Sequence, residues 1–222
     1  MAAGEGSYAG AGPTGAALTL ALPKGRLFEP LLAHAEACGL GLGGVLAAAG
    51  RQLVVEAGWL RLLLLKDADV PVYVEQGVAD AGVVGLDQVL ERGADVLRLR
   101  RLPFGHCRLC LISRPDAARR DGGTPLVLAS KYPRLAAELA RQRGLPVEVI
   151  PLAGSVELAA RLKLADAVVD LVETGRTLRE NGLAPVEEWL RVAPYLVANR
   201  AAFHLHGAAI RALAQKLGGA RL

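Results

Sequence analysis

Short apolar runs, each closed by a polar turn and followed by residues at helical spacing, recur along this chain and limit the folds open to it. Residues 18–22 read as a strand and Pro23-Lys24-Gly25-Arg26 as the loop after it. Leu27, Phe28, Leu31, Leu32 and Ala35 then mark one face of a helix that Gly39 ends. Residues 52–56 and 59–65 read as extended, and 70–76 as a short helix with Pro71 in its first turn. Residues 81–84 form a buried strand leading to Asp87, the expected N-cap of a helix running to Arg92. Strands at 96–102 and 107–113 flank Pro103-Phe104-Gly105. After a polar stretch at 114–125 the alternation resumes, with strand 126–129, helix 133–143, strand 147–151, helix 155–164 and strand 167–172. Residues 186–191 and 195–199 look extended, and 207–217 helical. Repeated βα units with short loops predict an α/β protein with mixed, largely parallel sheets. The G-x-G-x-x-G string at 39–44 follows a helix rather than a strand, so it reads as a loop and not as a dinucleotide fingerprint.

At 222 residues the chain can form one large domain or two small ones, with a substantial core. Hydrophobic residues make up 52% but aromatics only 4%, so Leu, Val and Ala must build that core. The net charge of +4 is dispersed, without the dense basic stripe of a nucleic-acid footprint, and suits phosphorylated small molecules. Residues 1–17, rich in Ala and Gly, lack the basic and apolar regions of a signal peptide and read as a flexible tail. No apolar run has the length of a membrane span, which points to a cytoplasmic protein. Cys38, Cys107 and Cys110 are too sparse and odd in number for a disulfide framework. Cys107 and Cys110 have C-x-x-C spacing, but in a strand they face opposite sides, and no second pair completes a zinc site. His204 and His206 share one face of what reads as a short extended segment, and suit packing or surface roles.

The segment Asp170-Leu171-Val172-Glu173-Thr174-Gly175-Arg176-Thr177-Leu178 carries the most functional information. It runs from an apolar strand into a polar turn that opens a helix. Thr177 and Glu180 have capping-box spacing, with Thr177 as N-cap, and Gly182 is placed to stop the helix. Such a turn offers backbone N–H groups, hydroxyls and the positive helix end to a phosphate. Asp170 and Glu173 repel phosphate, so they suit sugar hydroxyls or Mg²⁺. A phosphate cradle beside hydroxyl acceptors points to a ribose phosphate.

DLVETGRTL, preceded by Glu157 and Ala165-Asp166-Ala167-Val168-Val169, resembles the signature of the ATP phosphoribosyltransferase family. The resemblance runs from about residue 18 to 213 through ALPKGRL, DVPVYVEQGVADAGVVGLD, RLPFGHCRL, KYPRLA and LAGSVELA, in the family's order. Lys163 stands where the family usually has Gly, and Lys66 where it often has Arg. The resemblance implies a two-lobe fold like that of type II periplasmic binding proteins, joined by a double crossover. One lobe would comprise residues 18–104 plus 195–222. The other, 105–194, would carry the phosphoribosyl-binding turn, with the active site in the cleft between them.

The implied reaction is the first step of histidine biosynthesis: N1 of ATP attacks the anomeric carbon of 5-phosphoribosyl-1-pyrophosphate and pyrophosphate leaves. No dedicated nucleophile is needed; alignment and charge stabilisation suffice. On this map Asp170, Glu173, Thr174, Gly175, Arg176 and Thr177 bind the phosphoribosyl donor. Lys24, Gly25, Arg26, Arg51, Asp87, Lys131 and Tyr132 bind ATP, with Lys24 and Arg26 as electrostatic catalysts. Mg²⁺ is the expected cofactor, met by Asp170 and Glu173. The length suits the family's short form, which implies a self-dimer and a hetero-oligomer with a regulatory subunit similar to histidyl-tRNA synthetase. Rival expectations are a non-catalytic binding module of the same fold, and a phosphoribosyltransferase acting on another base.

Overall fold

The computed structural model describes residues 17–115 and 124–218. The Ala- and Gly-rich opening segment and most of the polar stretch at 114–125 lie outside the described residues. The chain forms two compact units. The first takes residues up to Gln88, Ala94–Gly105 and the chain from Pro194; the second takes Val89–Gly93 and His106–Ala193.

In the first unit β1 (Leu18–Pro23), β3 (Leu60–Leu65), β4 (Ala81–Gly85) and β5 (Leu97–Arg101) run one way, while β2 (Val54–Ala57) and β11 (Pro194–Ala198) oppose them. The order is β2-β3-β1-β4-β11-β5. Its helices are α1 (Phe28–Ala37), α2 (Leu42–Ala49), α3 (Val70–Glu75), α8 (Arg200–Leu205) and α9 (Gly207–Leu217). Leu31 and Ala35 of α1 and Ile210, Leu213 and Leu217 of α9 recur at helical spacing and are buried in one core with Leu20, Leu22, Leu62 and Leu196. Full burial of each such leucine contributes about 1.5–3 kcal/mol. The helix α4 (Leu86–Arg92) starts in the first unit and ends in the second.

The second unit orders β10 (Ala184–Val192), β6 (Cys107–Ser113), β9 (Ala167–Val172), β7 (Leu126–Ser130) and β8 (Val147–Pro151) side by side. Only β6 opposes its neighbours among these described strands. Its helices are α5 (Pro133–Gln142), α6 (Val156–Arg161) and α7 (Arg176–Glu180). In α5, Pro133 opens the first turn, where its missing N–H costs nothing, and Leu135, Ala136, Leu139 and Ala140 form the buried face. Both sheets are mixed and largely parallel in direction, as expected of an α/β chain.

Three local expectations need correction. The Gly-rich string is not wholly loop, because Gly43 and Gly44 lie inside α2, where burial of Leu42 and Leu46 outweighs the entropic cost of glycine. Asp87 is not an N-cap: α4 begins at Leu86, which puts Asp87 in the first turn. Residues 200–205 are helical, not extended. Asn199 caps α8 by accepting the Ala202 N–H at 3.0 Å, so His204 is a helix residue and His206 the junction to α9.

The two sheets share one register. Leu20 and Ala21 of β1 pair with Ala81 and Gly82 of β4, as Leu128 and Ala129 of β7 pair with Ala167 and Val168 of β9. An aspartate closes each pair at its amino end. Asp80 Oδ2 accepts the Thr19 N–H at 2.7 Å, and Asp166 Oδ2 accepts the Val127 N–H at 2.9 Å. Each aspartate returns its own N–H to the same residue's carbonyl, at 2.9 and 2.8 Å. The sequences echo this in Ala79-Asp80-Ala81-Gly82-Val83 and Ala165-Asp166-Ala167-Val168-Val169. Through this register Leu22 corresponds to Ser130, and Val84 to Asp170.

Lys163 has a φ of 60°, in the left-handed region. It closes α6 in a Schellman turn, with Leu164 N–H bonded to Ala159 O at 2.8 Å and Lys163 N–H to Ala160 O at 3.4 Å. A side chain there is strained by roughly 1–2 kcal/mol, part of which glycine's greater unfolded entropy offsets. Lys163→Gly should therefore stabilise the fold by about 0.5–1 kcal/mol and raise Tm by a few degrees. Urea denaturation checks this; a lower midpoint would contradict it.

Candidate active site

Among the described residues the buried polar or charged side chains, aromatic ones aside, are Asp87, Ser130 and Asp170. Burying a polar group is unfavourable unless it is hydrogen-bonded, so such residues mark positions with a task beyond packing. All three sit towards the carboxyl ends of parallel strands: Asp87 two residues past β4, Ser130 at the end of β7, and Asp170 in the second half of β9. That end is where open α/β sheets bind ligands.

In the second unit Asp170 Oδ1 accepts the Leu171 N–H at 2.8 Å, and Oδ2 receives Lys131 Nζ at 3.4 Å. Burial pushes the Asp170 carboxyl above its ordinary range. Lys131 and the Leu171 N–H pull it back, and Glu157 on α6 pushes it further up. Ser130 is wholly enclosed; its hydroxyl donates to Val169 O at 2.6 Å and accepts the Tyr132 N–H at 2.9 Å. Cys110, opposite Asp170 on β6, is a buried free thiol whose pKa burial raises, which suits packing rather than reactivity.

Beyond β9 the chain turns through Glu173, Thr174 and Gly175 into α7. Gly175 is the N-cap, with φ 68° and ψ 14°, and the one side-chain contact recorded at the helix start is long, the Thr174 hydroxyl accepting the Arg176 N–H at 3.5 Å. The capping-box expectation is thus corrected: Thr177 lies one residue inside the helix start. A left-handed Gly175 turns the chain two residues earlier than a Thr177 cap would. Glu180 binds Arg176 Nε at 2.9 Å instead of reaching back to the cap. Glu173, Thr174, Arg176 and Thr177 are exposed, and the first-turn N–H groups lack intrahelical acceptors. Arg179 donates to Thr174 O at 3.1 Å, bracing the turn. Gly182, with φ 68°, follows the helix end as expected.

In the first unit the loop after β1 lies against Asp67, which follows β3. Asp67 Oδ1 accepts the Gly25 N–H at 2.8 Å, and a Cβ on Gly25 would stand 2.5 Å from that oxygen, so a larger residue would push Asp67 off this bond. Lys24 is exposed, and Arg26 donates to Gly105 O at 2.8 Å. Arg51 is exposed just before β2. Because β2 is antiparallel to β3, Arg51 lies at the same sheet end as Lys24 and Asp67. The structure thus gathers Lys24, Gly25, Arg26, Arg51 and Asp87 at one sheet end, and Lys131, Tyr132 and residues 170–177 at the other unit's corresponding end. Sequence reasoning missed Ser130 and Asp67. The signal for each was a polar residue directly ending or following an apolar strand.

Fold and site together define a two-unit α/β protein whose buried polar groups gather where such sheets hold small ligands. Residues 66–219 match the model of the HisG family, ATP phosphoribosyltransferase. The ATP phosphoribosyltransferase of Moorella thermoacetica is 44% identical over 199 residues, covering 85% of this chain and 86% of that protein. The Thermus thermophilus enzyme is 43% identical over 203 residues, 90% of this chain and 95% of the relative. Among solved structures, the ATP phosphoribosyl transferase (HisG:HisZ) complex from Thermotoga maritima aligns with a TM-score of 0.77 and 30% identity, over 90% of this chain and 96% of that one. The chain belongs to the ATP phosphoribosyltransferase family, whose reaction joins ATP and phosphoribosyl pyrophosphate in the first step of histidine biosynthesis.

The buried carboxylate has a pH signature. With the folded pKa of Asp170 raised above the unfolded value of about 3.9, the folded state binds the proton more tightly. The associated stabilisation is fully present below about pH 3.9 and is lost as pH rises through the folded pKa. At neutral pH the charged group therefore weakens the fold. Asp170→Asn should raise the Tm of ligand-free protein near neutral pH, and the gain should shrink towards pH 4. Thermal melts across pH check this, and a gain independent of pH would contradict it.

Proposed function

We propose that the second unit holds the phosphoribosyl donor, with its 5-phosphate on the turn from Glu173 to Thr177 and its ribose hydroxyls against Asp170 and Glu173. The observation that carries this reading is the buried Asp170, paired with the exposed Lys131, beside a helix opened by a left-handed Gly175. The N–H groups of Gly175, Arg176 and Thr177 and the hydroxyls of Thr174 and Thr177 supply donors to phosphate. Arg176 adds positive charge. Of the residues expected to meet ATP, Lys131 and the adjoining Tyr132 lie at this donor site, because the lysine rests on Asp170. Lys24, Gly25, Arg26, Arg51 and Asp87 remain for the ATP side. The unit from about residue 105 to 194 is accordingly the phosphoribosyl lobe.

In this reading N1 of adenine forms the bond to the anomeric carbon while the carbon–oxygen bond to pyrophosphate breaks, its electron pair leaving with pyrophosphate. Charge grows on the leaving group and spreads over the ribose, so cationic side chains such as Lys24, Arg26 and Lys131 serve by position rather than by covalent chemistry. Among the described residues no group of three or more His, Cys, Asp or Glu side chains comes together to hold a metal. Asp170 and Glu173 instead offer hard oxygen donors at one strand end, which fits a Mg²⁺ bound mainly by substrate phosphates and one or two carboxylates. When bound, the ion neutralises charge on the departing pyrophosphate.

The reading includes a partner and a location. A regulatory subunit of the kind in the HisG:HisZ complex would form a hetero-oligomer with a dimer of this chain, a proposal supported by that structural likeness. The location would be cytoplasmic, which the free thiols Cys38, Cys107 and Cys110 suit. Turnover with ATP, phosphoribosyl pyrophosphate, Mg²⁺ and pyrophosphatase, with and without such a subunit, tests the reaction and the partner. Thr177→Ala tests the cradle. Because Thr177 is not the cap, stability should stay within about 0.5 kcal/mol. The kcat/KM for the donor should fall roughly tenfold or more through loss of a hydrogen bond to a charged group. An unchanged kcat/KM would remove the cradle from this turn.

A further inference from the structure

We infer that Ser130 is a positioning residue for the reaction, holding Lys131 against Asp170 at the donor site; the inference rests on the donor-site reading above. Ser130 occupies the strand position that Leu22 fills in the first unit, and both side chains are fully buried. The same strand position thus serves as plain core in the first unit, so its place in the sheet does not by itself call for a hydroxyl. Its geometry does. The hydroxyl donates to Val169 O at 2.6 Å, on the residue just before Asp170, and accepts the Tyr132 N–H at 2.9 Å, on the residue just after Lys131. One side chain therefore bridges the backbone flanks of both members of the pair.

The main chain of Ser130 is fixed as well, since its carbonyl accepts the Leu152 N–H at 2.9 Å. With β7, β9 and the turn at 131–132 locked together, Lys131 Nζ stays 3.4 Å from Asp170 Oδ2 although the lysine is otherwise an exposed loop side chain. Loss of the hydroxyl frees the Tyr132 N–H and lets the turn relax. Lys131 then spends less time on the Asp170 carboxylate.

The test combines side-chain NMR and kinetics on Ser130→Ala, with Ser130→Thr as the conservative rescue. Ammonium NMR of the ¹⁵N-lysine-labelled protein should show the Lys131 side chain more mobile in Ser130→Ala than in the parent, with Ser130→Thr restoring it. The KM for phosphoribosyl pyrophosphate should rise roughly tenfold, the scale of one buried hydrogen bond, while KM for ATP stays put. Should Ser130→Ala fail to fold, Ser130→Cys offers similar volume with a weak donor and acceptor, and should show smaller changes in the same directions. An unchanged Lys131 signal in a folded variant overturns the positioning role. A mobile Lys131 with an unchanged donor KM instead sinks the donor-site reading beneath it.

Discussion

A carboxylate enclosed at the end of a β-strand is the interaction around which the second unit is organised. Removing such a charge from water costs several kcal/mol even after relaxation, and an attraction of similar size has to meet it. Asp170 receives one backbone N–H and one ammonium, and burial still wins, because its pKa stays raised. The site is therefore incompletely compensated in the free protein. A ligand bringing hydroxyl donors, or a cation carried on phosphate, supplies what the protein leaves short. In the donor-site reading, the same deficit that weakens the empty fold would give the bound state part of its affinity.

Comparison between the units locates this deficit. β1 with β4 and β7 with β9 keep the same register, the same aspartate at the amino end and the same kind of apolar filling. Towards the carboxyl end they diverge: Leu22 and Val84 in one, Ser130 and Asp170 in the other. The frame is thus a stable βα solution that tolerates either filling, and the polar pair is an addition made where ligands can reach it. The first unit places its polarity farther out, on loop residues Lys24 and Asp67 and on Asp87 in the first turn of α4.

How far this was legible before the structure follows from the range of each interaction. The strands at 81–84, 126–129 and 167–172 were readable because their residues are apolar, interrupted only by Asp170. The start of α7 was not, because two signals competed within three residues. Thr177 with Glu180 fits a capping box, yet Gly175 can enter the left-handed region at lower cost and takes the cap first. Residues 200–205 were missed because the capping signal is the single Asn199, whose amide also donates to Val74 O and Glu75 O far away in sequence. Ser130 was overlooked for a related reason. Tyr132 is a local partner, but Val169 is named by the strand register, and no local pattern encodes a register between strands so far apart.

Topology explains why the functional ends also carry the passages between units. β11 is antiparallel to β4, with Pro194 opposite Gly85, so the chain re-enters the first unit at the carboxyl end of that strand. β6 is antiparallel to β9, with Arg108 opposite Val172, and Val192 at the end of β10 stands opposite Cys107. Entry to and exit from the second unit therefore occur beside the end of β9. An antiparallel strand inside each sheet, β11 in the first and β6 in the second, achieves this. It also gives Arg26 a second meaning: its guanidinium holds the carbonyl of Gly105, where the chain leaves the first unit, at 2.8 Å. A guanidinium presents its donors in a fixed planar fork, which suits a bond to a carbonyl held at one place, and the rotatable ammonium of a lysine would fix that exit less firmly.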